Sequence, residues 1–408
     1  MDDKKDITEL IQKYSDILEE HYNVAVSYNL DQDGMENIYV NMPDDGYDTV
    51  YSQVQFLDYM SDISSIRKVD NSTVRTKHIR QTIIDTSRHG SEYIEKRLTQ
   101  YVYNGDNFQV KIVDHPLLVG LWNSKEGNYD DNYFIFPCSG YLALEIKYSD
   151  NNKLSFDEEN QLIERILFDL TRKLGVAAYV STFIDMCEVE AQIDEEYESM
   201  DVPATESTIE VNSLCNASGV LTLYRQAKEI VNPEIAFLHY YKIIEYVSPA
   251  VAKKNAIASL NDHLNAAESV PRDYHYMDAM LSIASQYRDD QKDDFLTQSV
   301  IQTCIDVKPY FHLLPISLQK QVKDNLHVAE TADIRTVALT PDQEMSLKKQ
   351  VATILYSTRN SIVHAKANYR PTGLECPVDT LEEVNEMMNS FALTLIAWND
   401  TQPDYLRV

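Results

Sequence analysis

The chain is short of basic residues, of paired cysteines and of long apolar runs, and each shortage excludes something. Lys and Arg number 36 against 65 Asp and Glu in 408 residues, a formal net charge of −29 at pH 7. A broad cationic face for nucleic acid is thereby excluded, because phosphate binding draws its affinity from clustered Lys and Arg. Any nucleic-acid contact has to be local. The five cysteines (Cys138, Cys187, Cys215, Cys304 and Cys376) contain no C-x-x-C pair. That argues against a zinc cluster or a disulfide framework and fits a reducing cytosol. No run of 18 apolar residues exists, and the opening Met-Asp-Asp-Lys-Lys-Asp lacks the apolar core of a signal peptide. The expectation is a cytoplasmic protein with no membrane span.

What is present suffices for real cores: 44% of residues are hydrophobic, and the length suits two or three domains. The first half alternates. Ile7, Leu10, Ile11, Tyr14, Ile17 and Leu18 mark one face of a helix over residues 5 to 21. Strand patterns follow from Tyr22 to Asn29 and from Asn37 to Met42, joined at Asp31-Gln-Asp-Gly34. Residues 49 to 101 read as helical and carry Arg67, Lys68, Arg75, Lys77, Arg80, Arg88, Lys96 and Arg97. These suit a solvated helix face or a contact for a phosphate-bearing ligand.

Strands return at Phe108 to Val113, Tyr133 to Phe136 and Tyr141 to Tyr148. The last places Glu145 and Lys147 on one face, as a half-buried antiparallel strand would. Ser155-Phe-Asp-Glu158 is a capping box, and Gly175 closes the helix it opens. Eight acids between Asp185 and Asp201, followed by Pro203, mark a boundary. The reading is an α+β domain over 1–200 and an all-α domain over 205–408.

In the second half Asn232-Pro233-Glu234 caps a helix whose Phe237, Leu238, Tyr241 and Ile244 face inward. Glu245 borders that face, free either to hold Arg359 or to be solvated. His275, His312 and His327 have no metal-ligand spacing. The last helix carries Leu381, Val384, Met388, Phe391, Leu395 and Trp398, a stripe suited to a bundle core or a dimer seam.

Between them lies Tyr356-Ser-Thr-Arg-Asn-Ser-Ile-Val-His364, continuing a helical pattern of Leu347, Val351, Ile354, Leu355, Thr358 and Ile362. Residues 345 to 372 hold Lys348, Lys349, Arg359, Lys366 and Arg370 and no Asp or Glu, which suits a local anion site. Arg offers a planar fork for phosphate, and His moves a proton near neutral pH. Five residues are about 140° on an ideal helix, so for the two to share one point the helix must end or bend between them.

The Arg359-Asn360-x-x-x-His364 run, late in an all-helical segment with one helix to follow, resembles the Arg-x4–6-His motif of HEPN domains. Leu223-Tyr-Arg-Gln-Ala-Lys, followed by Ala236-Phe-Leu-His-Tyr-Tyr-Lys-Ile-Ile-Glu245-Tyr, is similar to the opening helices of HEPN proteins of prokaryotic antiviral defence. The resemblance covers residues 215 to 408. It implies an all-α HEPN-like bundle acting as an endoribonuclease without metal or cofactor, working as a homodimer or higher oligomer with its motifs facing each other. It gives His364 the acid/base role and Arg359 the phosphate. Asn360 would orient one of them or cap the helix, while Lys348, Lys349, Lys366 and Arg370 would be weaker RNA contacts. A toxin-like antiviral effector of this kind implies control by the first domain, by a regulatory partner or by a phage-derived trigger.

Two other readings stand beside it. One is a HEPN-like scaffold or RNA- or partner-binding module without catalysis. The other is a metal-dependent nuclease in the first half, built on Glu145, Lys147 and Asp130 or Asp131. The family variant silenced by tyrosine adenylylation is disfavoured, because Lys366 stands where that tyrosine is expected and Tyr369 comes too late.

Overall fold

The computed structural model describes residues 2–30, 36–43, 48–87, 91–129, 136–149, 153–182, 206–216, 218–266, 274–289, 292–364 and 370–407. The chain divides into two compact units, Met1–Leu214 and Cys215–Val408. The first mixes helices with two sheets, and the second is helical among its described residues.

The first unit opens with α1 (Asp2–Tyr22), then β1 (Ala25–Leu30), β2 (Glu36–Asn41) and β3 (Asp48–Ser52), a three-stranded antiparallel sheet. Ile11 and Leu18 of α1 are buried, whereas Leu10 is 37% exposed, so the apolar face is narrower than the pattern suggests. Ser52 caps α2 (Gln53–Ser61) through a capping box with Gln55. Phe56 and Met60 of α2 join Ile11, Leu18, Ile38 and Val40 in one core cluster. The Asp31–Gly34 turn and the strand read from Tyr133 fall outside the described residues.

The second sheet departs most from expectation. Residues 49 to 101 are not a helical stretch: besides β3 and α2 they contain β4 (Arg67–Lys68), β5 (Thr73–Arg75), β6 (Ile79–Thr86), α3 (Glu92–Leu98) and the start of β7 (Tyr101–Asn104). Every residue of β6 is buried, Arg80, Gln81 and Thr82 included, so no polar face alternates with an apolar one. Arg80 neither lines a solvated helix face nor waits for a ligand. Its guanidinium donates to Glu159 Oε2 at 2.8 Å, and Arg75 reaches Glu159 Oε1 at 3.5 Å. Glu159, with no exposed surface, also accepts from the Tyr148 hydroxyl at 2.9 Å.

The sheet continues with β8 (Phe108–Asp114), α4 (Leu117–Glu126), β9 (Leu142–Tyr148), α5 (Phe156–Leu174), β10 (Ala178–Val180) and β11 (Ser207–Glu210). Its strand order is β11-β7-β8-β9-β6-β5-β4, with β10 on β6. β9 lies between β8 and β6 and is buried on both faces, not on one as its alternation suggests. Helix α5, opened by the Ser155–Glu158 capping box and closed at Gly175 (φ 76°), covers one face with Leu162, Ile163, Ile166, Leu167 and Leu170. β11 runs parallel to β7, and Arg165 donates to the carbonyls of Val211 and Leu214. Residues 206–214 thus belong to the first unit, and the division falls after Leu214 instead of near residue 200.

The second unit contains α6 (Ser218–Glu229), α7 (Pro233–Ala266), α8 (Tyr274–Asp289), α9 (Asp293–Cys304), α10 (Ile316–Asn325), α11 (Pro341–His364) and α12 (Leu381–Asp400). Asn232 caps α7 by accepting from the Ile235 amide at 3.1 Å. Leu381, Val384, Met388, Phe391 and Leu395 of α12 are all at most 1% exposed within this unit. These five are bundle core and leave no surface for a dimer seam, while Trp398, the last residue of the stripe, is half-buried.

Candidate functional site

Helix α11 is set by its ends and by one buried stripe. The Thr340 hydroxyl accepts from the Gln343 amide, and the Gln343 side chain accepts from the Thr340 amide, a reciprocal cap just ahead of Pro341. Leu347, Val351, Ile354, Leu355 and Thr358 are buried, and the last turn then emerges, with Val363 and His364 exposed. Thr358 donates to the Ile354 carbonyl at 2.8 Å and accepts from the Cys376 amide at 3.0 Å. That second bond pins the chain beyond the motif back onto α11.

Arg359 is half-buried and held from two directions. Its Nη2 donates to Glu245 Oε1 on α7 at 3.1 Å, and its Nη1 donates to Asn360 Oδ1 at 3.1 Å. The alternatives left open for Glu245 resolve in favour of contact with Arg359. The guanidinium carbon also sits 5.9 Å from the ring centre of Tyr241, one turn before Glu245. Tyr241 is fixed in turn by a 2.6 Å hydrogen bond between its hydroxyl and Thr297 on α9, and burial pushes its phenol well above the usual value. Glu245 and Tyr241 share one face of α7 and were legible at i, i+4. Thr297 had no signal, since it arrives from another helix.

The rest of the motif is more dispersed. α11 is helical through both Arg359 and His364, so the condition for the pair to share one point within a chain is not met, and they diverge by about 140°. Lys348 is half-buried and donates to the Gln302 carbonyl at 3.0 Å. Lys349 is exposed, but ten residues of helix place it about 15 Å along the axis from Arg359. Arg370 is exposed, and Lys366 falls outside the described residues.

No family model, curated protein or solved structure matches this chain.

The Glu145 face of the first unit forms a different arrangement. Glu145 is 7% exposed and its Oε2 accepts from Tyr59 and from Gln81 Nε2, each at 2.6 Å. The Gln81 carbonyl oxygen in turn accepts from the amides of Leu118 and Val119 at the start of α4, so one carboxylate ties β9, α2, β6 and α4 together. Lys147 pairs with Asp58 instead of with Glu145. Among the described residues no three His, Cys, Asp or Glu converge as metal ligands, and Asp130 and Asp131 lie outside them.

Burial pushes the Glu145 carboxyl above the ordinary carboxylate range, against the pull of its two hydrogen bonds. A carboxyl raised in this way costs folding free energy once it ionises. The cost is absent below its unfolded-state value and grows as pH rises through the folded one. Glu145→Gln is therefore expected to gain on the wild type as pH increases from about 4 to about 7, read as the difference in Tm. A difference constant with pH would show that Glu145 does not titrate in that window.

Proposed function

We propose that the helical unit is a HEPN-type endoribonuclease that cleaves RNA without a metal, controlled by the first unit. The observation that carries the reading is the setting of Arg359. An acidic chain presents a guanidinium, backed by Tyr241 and bridged to Asn360, in an acid-free stretch (residues 345 to 372) that also carries an exposed histidine. The ribose 2′-oxygen attacks the adjacent phosphorus, an O–P bond forms, and the bond to the 5′-oxygen breaks. His364 transfers the proton, and Arg359 binds the phosphate and its developing charge.

The Glu245 contact suits this chemistry because it is weak. An ion pair whose side chains are 24% and 41% exposed stabilises by about 0–1 kcal/mol, so a phosphate can replace the carboxylate at small cost. The same contact, which occupies the guanidinium, also favours a second reading, a silent RNA- or partner-binding module. Cleavage by the purified chain in EDTA separates the two. Product with EDTA present supports the enzyme, and strict dependence on Mg²⁺ or Mn²⁺ would defeat the mechanism.

The divergence of Arg359 and His364 on one helix makes a two-chain site part of the proposal, with the motif ends of α11 facing across a two-fold axis. A native mass of at least twice 46.9 kDa is expected at micromolar concentration. A monomer that cleaves RNA would end this version of the site.

A further inference from the structure

Away from the motif, the helical unit contains an open groove of about 490 Å³ between α6, α7, α12 and the turn at Pro309–Leu313. Glu382, Asn385 and Glu386 enter it from one face of α12, at spacings of three and four residues. Lys228 enters from α6, and Tyr240 and Tyr310 from α7 and the turn. Both rings are braced edge-on, Tyr310 against Phe391 at 5.8 Å and Tyr240 against Tyr224 at 6.3 Å. Tyr310 is the half-buried one, with surface left to stack on.

The polar groups are not spent on each other. Lys228 has no hydrogen bond and no ion pair among the described residues, although Glu386 is near enough to act on it, and burial pushes its ammonium below the usual lysine range. Asn385 donates its Nδ2 to the Pro233 carbonyl at 2.9 Å, which fixes the amide's orientation, and its buried Oδ1 is left with no partner. A groove with carboxylates, one under-solvated ammonium and a ring suits a planar ligand. That ligand must present two or more N–H donors along one edge and acceptors along another.

We infer that this groove binds a guanine base. Guanine alone among the RNA bases pairs an N1–H and an exocyclic N2 amino group on one edge with the O6 and N7 acceptors on the adjoining one. A carboxylate, which only accepts, matches the first edge, and a lysine, which only donates, matches the second. Tyr310 supplies the stacking surface. Glu386 is assigned to N1 and N2, and Lys228 to O6 and N7. Placing that guanine in an RNA substrate rests on the ribonuclease reading, whereas binding of the base does not. Tyr240 directly precedes Tyr241 in α7, so the groove and the Arg359 platform flank the same turns of one helix.

The test is calorimetric titration of the full chain with guanosine, GMP, AMP, CMP and UMP. Guanosine and GMP are both expected to bind, with GMP at least about tenfold tighter than the other three nucleotides. Lys228→Met and Glu386→Gln should each weaken GMP by about tenfold or more, the glutamine because it turns an N–H toward N1–H. His364→Ala should leave the affinity unchanged, and circular dichroism confirms that each variant is folded. Equal binding of all four nucleotides, binding of GMP but not guanosine, no binding at all, or full affinity in folded Lys228→Met would overturn the assignment. Cleavage is not a readout here. A chain that binds guanosine but never cuts RNA loses the ribonuclease reading and keeps the groove, and the converse result does the opposite.

Discussion

Replacing His364 by alanine is expected to lower RNA cleavage by about 10²–10⁴-fold, the usual contribution of a positioned proton-transfer group. The fold should be untouched, because His364 is exposed at the last residue of α11 and the buried stripe ends before it. Arg359→Ala should lose activity on a comparable scale for a different reason, since it removes the charge-assisted contact to the phosphate. Its structural cost is small, since the pair with Glu245 contributes about 0–1 kcal/mol. Cleavage of an end-labelled single-stranded RNA in EDTA, beside thermal melts of both variants, reads the two effects separately. Soluble, folded variants with full activity would remove the catalytic role from both residues.

The largest stability effect is expected in the other unit, at Glu159→Ala. Glu159 has no exposed surface and satisfies Arg80, Arg75 and the Tyr148 hydroxyl together. Deleting it leaves Arg80, 2% exposed, as a buried cation without a carboxylate, its remaining contacts being the neutral Thr82, Asn160 and the Phe156 ring at 4.9 Å. Breaking one side of a buried pair costs about 3–5 kcal/mol, far more than the pair contributes relative to an apolar replacement. The chain has two tryptophans, and Trp122 lies in the first unit while Trp398 lies in the second. Urea unfolding followed by fluorescence in a Trp398→Phe background therefore reports the first unit alone. A loss below about 1 kcal/mol would mean that Arg80 finds water when its partner is removed.

The two units also differ in how far they could be read. Periodicity suffices where one face is buried and the ends carry caps. The α5 capping box, the Asn232 cap of α7 and the apolar stripe of α11 all appear where the residues suggest. It fails for β6, because a strand covered on both faces has no alternation, and its Arg80 and Gln81 look like surface residues until their partners are known. β11 was illegible for a related reason: four residues after an acidic stretch gain meaning only by pairing with β7, about a hundred residues earlier.

At the candidate site the division is similar. Residue order alone gives the acid-free stretch from 345 to 372, the Arg359–Asn360–His364 spacing and the charge deficit that makes any RNA contact local. Tertiary structure decided the rest. Glu245 meets Arg359 across 114 positions, Thr297 fixes Tyr241 from a third helix, and the α12 stripe turns inward. Those outcomes depend on which helix faces pack together, and a hydrophobic stripe states that a face will be buried without stating against what.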